Sequence, residues 1–133
     1  MDGQLNKPVS QGILSASMLR TVIYTIGHIF IACACVIIIT GSNPLLATIT
    51  SVVEPLINAF WYYVVDFFRN IFPTIVRAIV YTIGHMCIAV VCIVLITGSD
   101  PQLASIDAVV EPLLNAVWFY VLNIVWSSCF GAD

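Results

Sequence analysis

The chain contains the same stretch of sequence twice, and this duplication limits the folds that are open to it. Residues 20–63 and 77–120 align without a gap, and 26 of the 44 aligned positions are identical. Each residue of the first copy lies 57 positions before its counterpart, so that His28 matches His85 and Glu54 matches Glu111. Two copies of one unit are expected to fold as two similar units packed together.

The composition favours lipid rather than water as the solvent of these units. Hydrophobic residues make up 61% of the chain and charged residues only 8%, whereas a soluble domain is charged at roughly a quarter of its positions. The first apolar run begins late and lacks a small-residue cleavage site, so we expect a permanent span rather than a signal peptide. Four basic residues and a net charge of -3 argue against a nucleic-acid partner.

Each repeat is predicted to be a helical hairpin. Residues 21–39 contain no Lys, Arg, Asp or Glu, and about 20 such residues are needed to cross a bilayer. The turn that follows has Gly41 for the bend, Asn43 as a helix N-cap and Pro44 at the first helical position. The second repeat has the same elements. The predicted fold is therefore an all-α integral membrane protein, with four transmembrane helices arranged as two tandem, parallel-repeat helical hairpins.

The predicted boundaries and orientation follow from this pattern. We expect an N-terminal tail and helix start at 1–19, hairpins at 20–68 and 77–126, a connection at 69–76 and a C-terminal tail at 127–133. Four spans place both termini on one side, and all the basic residues lie on that side: Lys7, Arg20, Arg69 and Arg77. The positive-inside rule then predicts cytoplasmic termini, with the TGSNP and TGSDP turns on the opposite side.

Polar residues inside the predicted spans recur at intervals of three and four, which places them on one face of each helix. At 1.5 Å of rise per residue, His28 and Glu54 come within roughly one helical turn of each other near the midplane. The simplest hairpin pairs His28 with Glu54 and Thr25 with Asn58. The matched residues of the second repeat would do the same. The predicted intramembrane polar cluster comprises Thr25, His28, Glu54, Asn58, Thr82, His85, Glu111 and Asn115.

Two further features of the spans bear on this cluster. An unpaired carboxylate at mid-depth costs at least ~3 kcal/mol, so Glu54 and Glu111 are expected to be paired or protonated. Pro55 and Pro112 follow these glutamates. Each removes a backbone hydrogen bond, and a kink is predicted there.

The five cysteines show no paired metal-binding spacing, so we expect them to pack as apolar side chains.

Several residues of the repeat together resemble a known family. They are a basic residue before a tyrosine in the first helix, the T-G-S turn, an alanine after it, the intramembrane glutamate and the aromatic pair Tyr62–Tyr63. In this combination the chain resembles two tandem copies of a small two-helix membrane domain of unknown function (domain of unknown function 2061). The family tends to have a basic residue after the glutamate and a His-Glu-Arg close, where this chain has Asn58, Val64, Val65 and Asp66. The resemblance implies a membrane protein and no particular activity.

The sequence favours a non-enzymatic role. It contains no nucleophile elbow, phosphate-binding loop or helical metalloprotease motif. We expect a structural or accessory subunit of a membrane complex or a homo-oligomer, in which the polar cluster fixes helix pairing. The expected partners are the lipid bilayer and either further copies of the chain or other membrane subunits.

Two alternative functions stay open from the sequence. Glu54 and Glu111 would serve a proton or ion channel or transporter, because intramembrane acids near histidine mark such paths. His28 and His85, at equal depth on parallel helices, would instead bind a tetrapyrrole such as a haem or a chlorophyll-type pigment. A site with two histidines and two glutamates has no supporting local motif, so no metal ligand is predicted.

Overall fold

The computed structural model describes residues 8–131, and this part of the chain is all-helical. Its elements are α1 (Pro8–Thr40), α2 (Pro44–Phe67), α3 (Thr74–Thr97) and α4 (Pro101–Phe130). All four helices are long and apolar enough to cross a membrane, with the candidate span of α1 beginning at Ser15. The predicted fold class is confirmed. The tail residues 1–7 and 132–133, including Lys7, lie outside the described residues.

The turns inside the two hairpins have the predicted local chemistry. Gly41 and Gly98 both adopt a φ of 68°, a left-handed conformation that glycine enters without steric strain. The side chain of Asn43 accepts a hydrogen bond of 2.8 Å from the amide of Leu45 and so caps α2. Asp100 caps α4 in the same way through the amide of Gln102, at 2.7 Å. Each repeat thus reverses direction and starts its second helix with residues that local sequence specifies.

The helix ends differ from the predicted boundaries by a few residues. The fourth helix continues to Phe130 rather than ending near Trp126, because no glycine or proline lies between Trp126 and Gly131, which has a φ of 85°. The third helix begins at Thr74, directly after Pro73, rather than at Arg77. Both Pro55 and Pro112 lie inside continuous helices.

The four helices form a bundle in which each helix packs against two neighbours. The closest associations join the repeats, since α1 packs most extensively against α4 and α2 against α3. Packing within each hairpin, α1 on α2 and α3 on α4, is less extensive. The two Ser42 and Ser99 hydroxyls meet at 3.2 Å, so both T-G-S turns lie at the same end of the bundle. We call this the turn end, and the opposite end the terminal end.

The distribution of polarity is the reverse of that in a water-soluble bundle. Large apolar side chains point outwards: Phe30 is 77% exposed and Ile38 is 80% exposed. Polar side chains fill much of the interior, and these are Thr50, Ser51, Glu54, Asn58, Asp107, Glu111 and Asn115. An apolar exterior around a polar interior is stable only when the exterior contacts lipid. The chain is an integral membrane protein.

Candidate functional site in the bundle interior

Three carboxyl groups lie in the bundle interior and form the centre of the candidate site. Glu54 of α2 is 5% exposed, Asp107 of α4 is 1% exposed and Glu111 of α4 is 2% exposed. Asp107 and Glu111 lie one helical turn apart on α4, and Glu54 holds the position in α2 that matches Glu111. We call these three residues the carboxyl cluster. Three acidic groups at this depth in a membrane protein are rare, because each loses its hydration there.

Two asparagines donate to this cluster from within its own helices. Asn58 Nδ2 donates to Glu54 Oε1 at 3.1 Å, one helical turn away. Asn115 Nδ2 donates to Glu111 Oε1 in the same way. The second repeat therefore reproduces the glutamate–asparagine pair of the first. Both asparagines are buried, which keeps these hydrogen bonds out of contact with lipid.

The predicted pairing of His28 with Glu54 inside one hairpin is wrong. The imidazole of His28 lies against the other repeat, with its Nδ1 atom 3.9 Å from Glu111 Oε1 and its ring beside Asn115. The reason is that α1 packs mainly on α4 rather than on its hairpin partner α2. On its other side the ring of His28 stacks with Tyr24, with centroids 6.0 Å apart.

Tryptophan–glycine contacts explain why the helices pair between the repeats. The indole of Trp118 on α4 lies directly against Gly27 of α1, where any side chain would collide with it. Its Nε1 atom donates to the backbone carbonyl of Tyr24 at 3.2 Å. The symmetry-related Trp61 lies against Gly84 and donates to the carbonyl of Tyr81, also at 3.2 Å. A glycine lets a neighbouring helix approach closely, so these two contacts select the partner helices.

The predicted threonine members do not join the site. Thr25 Oγ1 donates to the carbonyl of Thr21 in its own helix, at 2.8 Å, and the residue is exposed. Thr82 likewise donates to Ala78 of its own helix and is exposed. The predicted pairs Thr25–Asn58 and Thr82–Asn115 are therefore wrong. A threonine hydroxyl inside a helix is satisfied by the carbonyl one turn before it, so it needs no partner on another helix.

Asp107 is the member of the cluster that sequence reasoning missed. Its spacing in the sequence could have revealed it. Asp107 lies four residues before Glu111 and three after Ala104, which puts it on the same face of α4 as Glu111. The matched position of the first repeat is Thr50, and this difference hides Asp107 from a search for residues shared by the repeats. A carboxylate inside a membrane span is by itself a reason to suspect function.

Several buried polar atoms around the carboxyl cluster have no hydrogen-bond partner in the structure. They are Nδ1 of His28 and His85 and Oδ1 of Asn58, Asp107 and Asn115. Buried polar groups are nearly always satisfied by protein or by ordered water. The cluster has many hydrogen-bond acceptors and few donors. A proton or a water molecule would supply the missing donors.

The polar interior is bounded at both ends of the bundle. Towards the turn end, an apolar layer packs across the axis and consists of Val36, Ala47, Ile93 and Ala104. Beyond this layer, Thr40, Ser42, Thr97 and Ser99 form a connected group of hydroxyls. Towards the terminal end, the indoles of Trp61 and Trp118 follow the asparagines. The site is thus a polar compartment between an apolar layer and a pair of indoles.

Within residues 8–131, no group of three or more His, Cys, Asp and Glu side chains has an arrangement that could hold a metal ion. The tetrapyrrole hypothesis for His28 and His85 stays a prediction. Absorbance in the Soret region of the gently extracted protein would test it directly.

Comparison with known proteins finds a family match in the second hairpin. Residues 75–127 match the model of a family described as "Predicted membrane protein (DUF2061)". The second hairpin is therefore similar to this family. No similar protein was found among curated sequences, and none was found among solved structures. The family description agrees with the apolar exterior of the bundle and with the predicted resemblance, and it names no activity.

Proposed function

We propose that this chain is a non-enzymatic membrane protein that passes protons through the interior of its bundle. The observation that carries this proposal is the carboxyl cluster itself: three buried carboxyls beside amide and imidazole atoms that lack hydrogen-bond partners. Buried polar atoms that are not satisfied by protein are satisfied by ordered water. Carboxyl groups that border such water can exchange protons with it, and this favours a proton path through the bundle.

The chemistry of these side chains favours protons over other cations. One proton neutralises a carboxylate without any shell of ligands, whereas a desolvated metal ion needs several coordinating oxygens at once. Chains of Asp, Glu and His side chains are the usual proton relays of membrane pumps and transporters. Here Glu54 of α2 and Glu111 of α4 are both buried in the bundle, and His28 of the first repeat approaches Glu111 of the second. The two repeats would therefore contribute to one relay rather than to two separate ones.

A flux assay on purified protein tests this proposal. The protein is reconstituted into vesicles that contain a pH-sensitive dye, and a potassium gradient with valinomycin drives proton entry. We expect acidification of vesicles with wild-type protein, and in Glu54→Gln/Glu111→Gln a rate equal to that of empty vesicles. Glutamine keeps the shape of the side chain and still accepts from Asn58 or Asn115, but it cannot take up a proton at neutral pH.

The matched control for this assay is Thr25→Val/Thr82→Val. These threonines lie in the same spans but are exposed and bonded to their own helices, so the flux should not change. Wild-type vesicles that acidify no faster than empty ones would contradict the proposal. So would a folded glutamine variant that conducts at the wild-type rate. A parallel assay with a sodium gradient and a sodium-sensitive dye would reveal sodium as the conducted ion.

A second candidate function is a structural or accessory subunit, as the sequence suggested. The observation that favours it is that polar and aromatic groups of the site join the two repeats, as in the contact of His28 with Glu111 and that of Trp118 with Tyr24. In this role the cluster would fix helix pairing, and the exposed apolar faces would contact other subunits or further copies. Native mass measurement of the detergent-extracted protein tests this, and a strict monomer would contradict it.

We further propose that the first repeat is another copy of the family domain and that both termini are cytoplasmic. The internal identity of the repeats supports the first statement. The second is supported by the location of Arg20, Arg69 and Arg77 towards the terminal end, because basic residues are retained in the cytoplasm. A cysteine introduced at Ser42 should react with a membrane-impermeant maleimide from outside intact cells, and one introduced at Asn70 should react only after permeabilisation.

A further inference from the structure

One carboxyl breaks the two-fold equivalence of the polar interior. The glutamates, the asparagines and the histidines of the site occur as identical pairs, one in each repeat. Asp107 has no such partner, because the matched position of the first repeat is Thr50. Both residues are almost completely inaccessible, at 1% and 0% exposure. The interior thus contains two matched buried positions, one in each repeat. One of them holds a carboxyl and the other a hydroxyl.

The hydrogen bonding of these two residues differs as much as their chemistry. The hydroxyl of Thr50 donates to the carbonyl of Leu46 in its own helix at 2.8 Å and is satisfied there. The Oδ1 atom of Asp107 has no hydrogen-bond partner although it is fully buried. Asp107 lies one helical turn before Glu111 on α4, so the two carboxyls share one face of that helix. The buried Oδ1 atom of Asp107 receives no hydrogen bond from the other residues of the cluster.

The position of Asp107 along α4 makes it the carboxyl of the cluster that lies closest to the turn end. It lies six residues, or about 9 Å, from the start of α4 at Pro101, and Glu111 lies a further turn of about 6 Å inwards. Between Asp107 and the turn hydroxyls lies the apolar layer, two members of which are the small residues Ala47 and Ala104. Water that crosses this layer reaches Asp107 before it reaches either glutamate.

We propose that Asp107 is the proton-loading group of the site, which exchanges protons between water at the turn end and the two glutamates. This inference rests on the proposed function. In the inward direction, a hydronium ion gives its proton to the Asp107 carboxylate and leaves as water. The protonated carboxyl then donates that proton to the carboxylate of Glu54 or Glu111, which restores the Asp107 carboxylate. The buried and unpartnered amide oxygens of Asn58 and Asn115 lie one helical turn beyond the glutamates, on the side away from Asp107.

Three variants test this role in the vesicle assay. Asp107→Asn keeps the shape of the side chain, and Asp107→Thr makes the two repeats alike at this position. Both should slow proton flux by about a hundredfold, the usual contribution of a positioned proton-transfer group. The swap Thr50→Asp/Asp107→Thr moves the carboxyl to the matched position of the first repeat. Because Thr50 is equally buried and equally placed relative to Glu54, the swap should recover flux to within about threefold of wild type.

Each outcome of this comparison either supports or overturns the inference. Recovery of flux in the swap, after its loss in Asp107→Thr, supports it, and a purely structural role of Asp107 would not produce that pattern. Asp107→Asn and Asp107→Thr proteins that conduct like wild type overturn it, and the proposed function then stands on Glu54→Gln/Glu111→Gln alone. A folded swap variant without flux also overturns it. Wild-type vesicles without flux overturn both this inference and the proposed function.

Discussion

At the scale of single residues, the two repeats interlock where an indole lies against a glycine. Gly27 receives the ring of Trp118, and Gly84 receives the ring of Trp61. Both indoles also donate to a carbonyl of the helix they contact. These contacts set which helices pair, and so they bring His28 to Glu111 rather than to Glu54. The geometry of the polar site therefore depends on four residues that carry no charge.

The first prediction concerns Gly27. In Gly27→Leu the new side chain overlaps the Trp118 indole, so we expect the free energy of unfolding in mixed micelles to fall by about 1–3 kcal/mol. Gly12→Leu is the matched control, because nothing lies within 4 Å of the position a side chain would take there. In a Trp118→Ala background, Gly27→Leu should cost much less, since the two residues are in contact. Equal losses in both backgrounds would show that the indole does not occupy this position.

At the scale of elements, each hairpin is specified by the few residues of its turn. A glycine with positive φ ends the first helix, and a polar residue before proline caps the second. The two repeats use different capping residues, Asn43 and Asp100, for the same hydrogen bond. Either residue is therefore expected to serve at either position, because both side chains offer an oxygen to the second amide of the helix.

The second prediction follows from these caps. Asn43→Ala and Asp100→Ala should each lower the free energy of unfolding by about 0.5–2 kcal/mol, because one amide at the start of the helix loses its acceptor. Asn43→Asp and Asp100→Asn should leave stability nearly unchanged. The free energies of unfolding of all four variants, measured in mixed micelles, test this prediction. Loss of stability in the exchange variants equal to that in the alanine variants would contradict the capping role.

At the scale of the whole molecule, the repeats form one bundle around a shared axis. Ser42 and Ser99 meet at the turn end, the apolar layer and the carboxyl cluster follow, and the two indoles lie beyond them. The site contains residues from both repeats, as the contact of His28 with Glu111 shows. A single repeat would expose its polar face to lipid, which is unfavourable for buried carboxyls.

The third prediction tests this arrangement by cross-linking. The hydroxyl oxygens of Ser42 and Ser99 are 3.2 Å apart, so Ser42→Cys/Ser99→Cys should form a disulfide within one chain on oxidation. With a protease site introduced in the connection between α2 and α3, the two halves should stay joined until reduction. The control pair Ser42→Cys/Ser128→Cys places thiols at opposite ends of the bundle and should not cross-link. A disulfide that joins two chains instead would indicate that the turns meet between copies.

The sequence alone determined the number of helices, their hairpin order and the chemistry of their turns. These features depend on local properties, namely an apolar run long enough to cross a bilayer and the backbone preferences of Gly41, Asn43 and Pro44. The sequence also placed the glutamates within about one helical turn of the histidines near mid-depth, because helical rise is constant. It overlooked Asp107, whose matched residue in the first repeat is Thr50.

Only the tertiary structure decided which of these residues meet. In two hairpins with the same polar stripes, a stripe can pair with the other stripe of its own repeat or with a stripe of the other repeat. The spacing of the residues is compatible with both pairings. The choice depends on the fit of bulky side chains into gaps on helices far away in the chain, such as Trp118 on Gly27. That fit is a property of two surfaces together, so His28 pairs with Glu111 for a reason that neither repeat contains by itself.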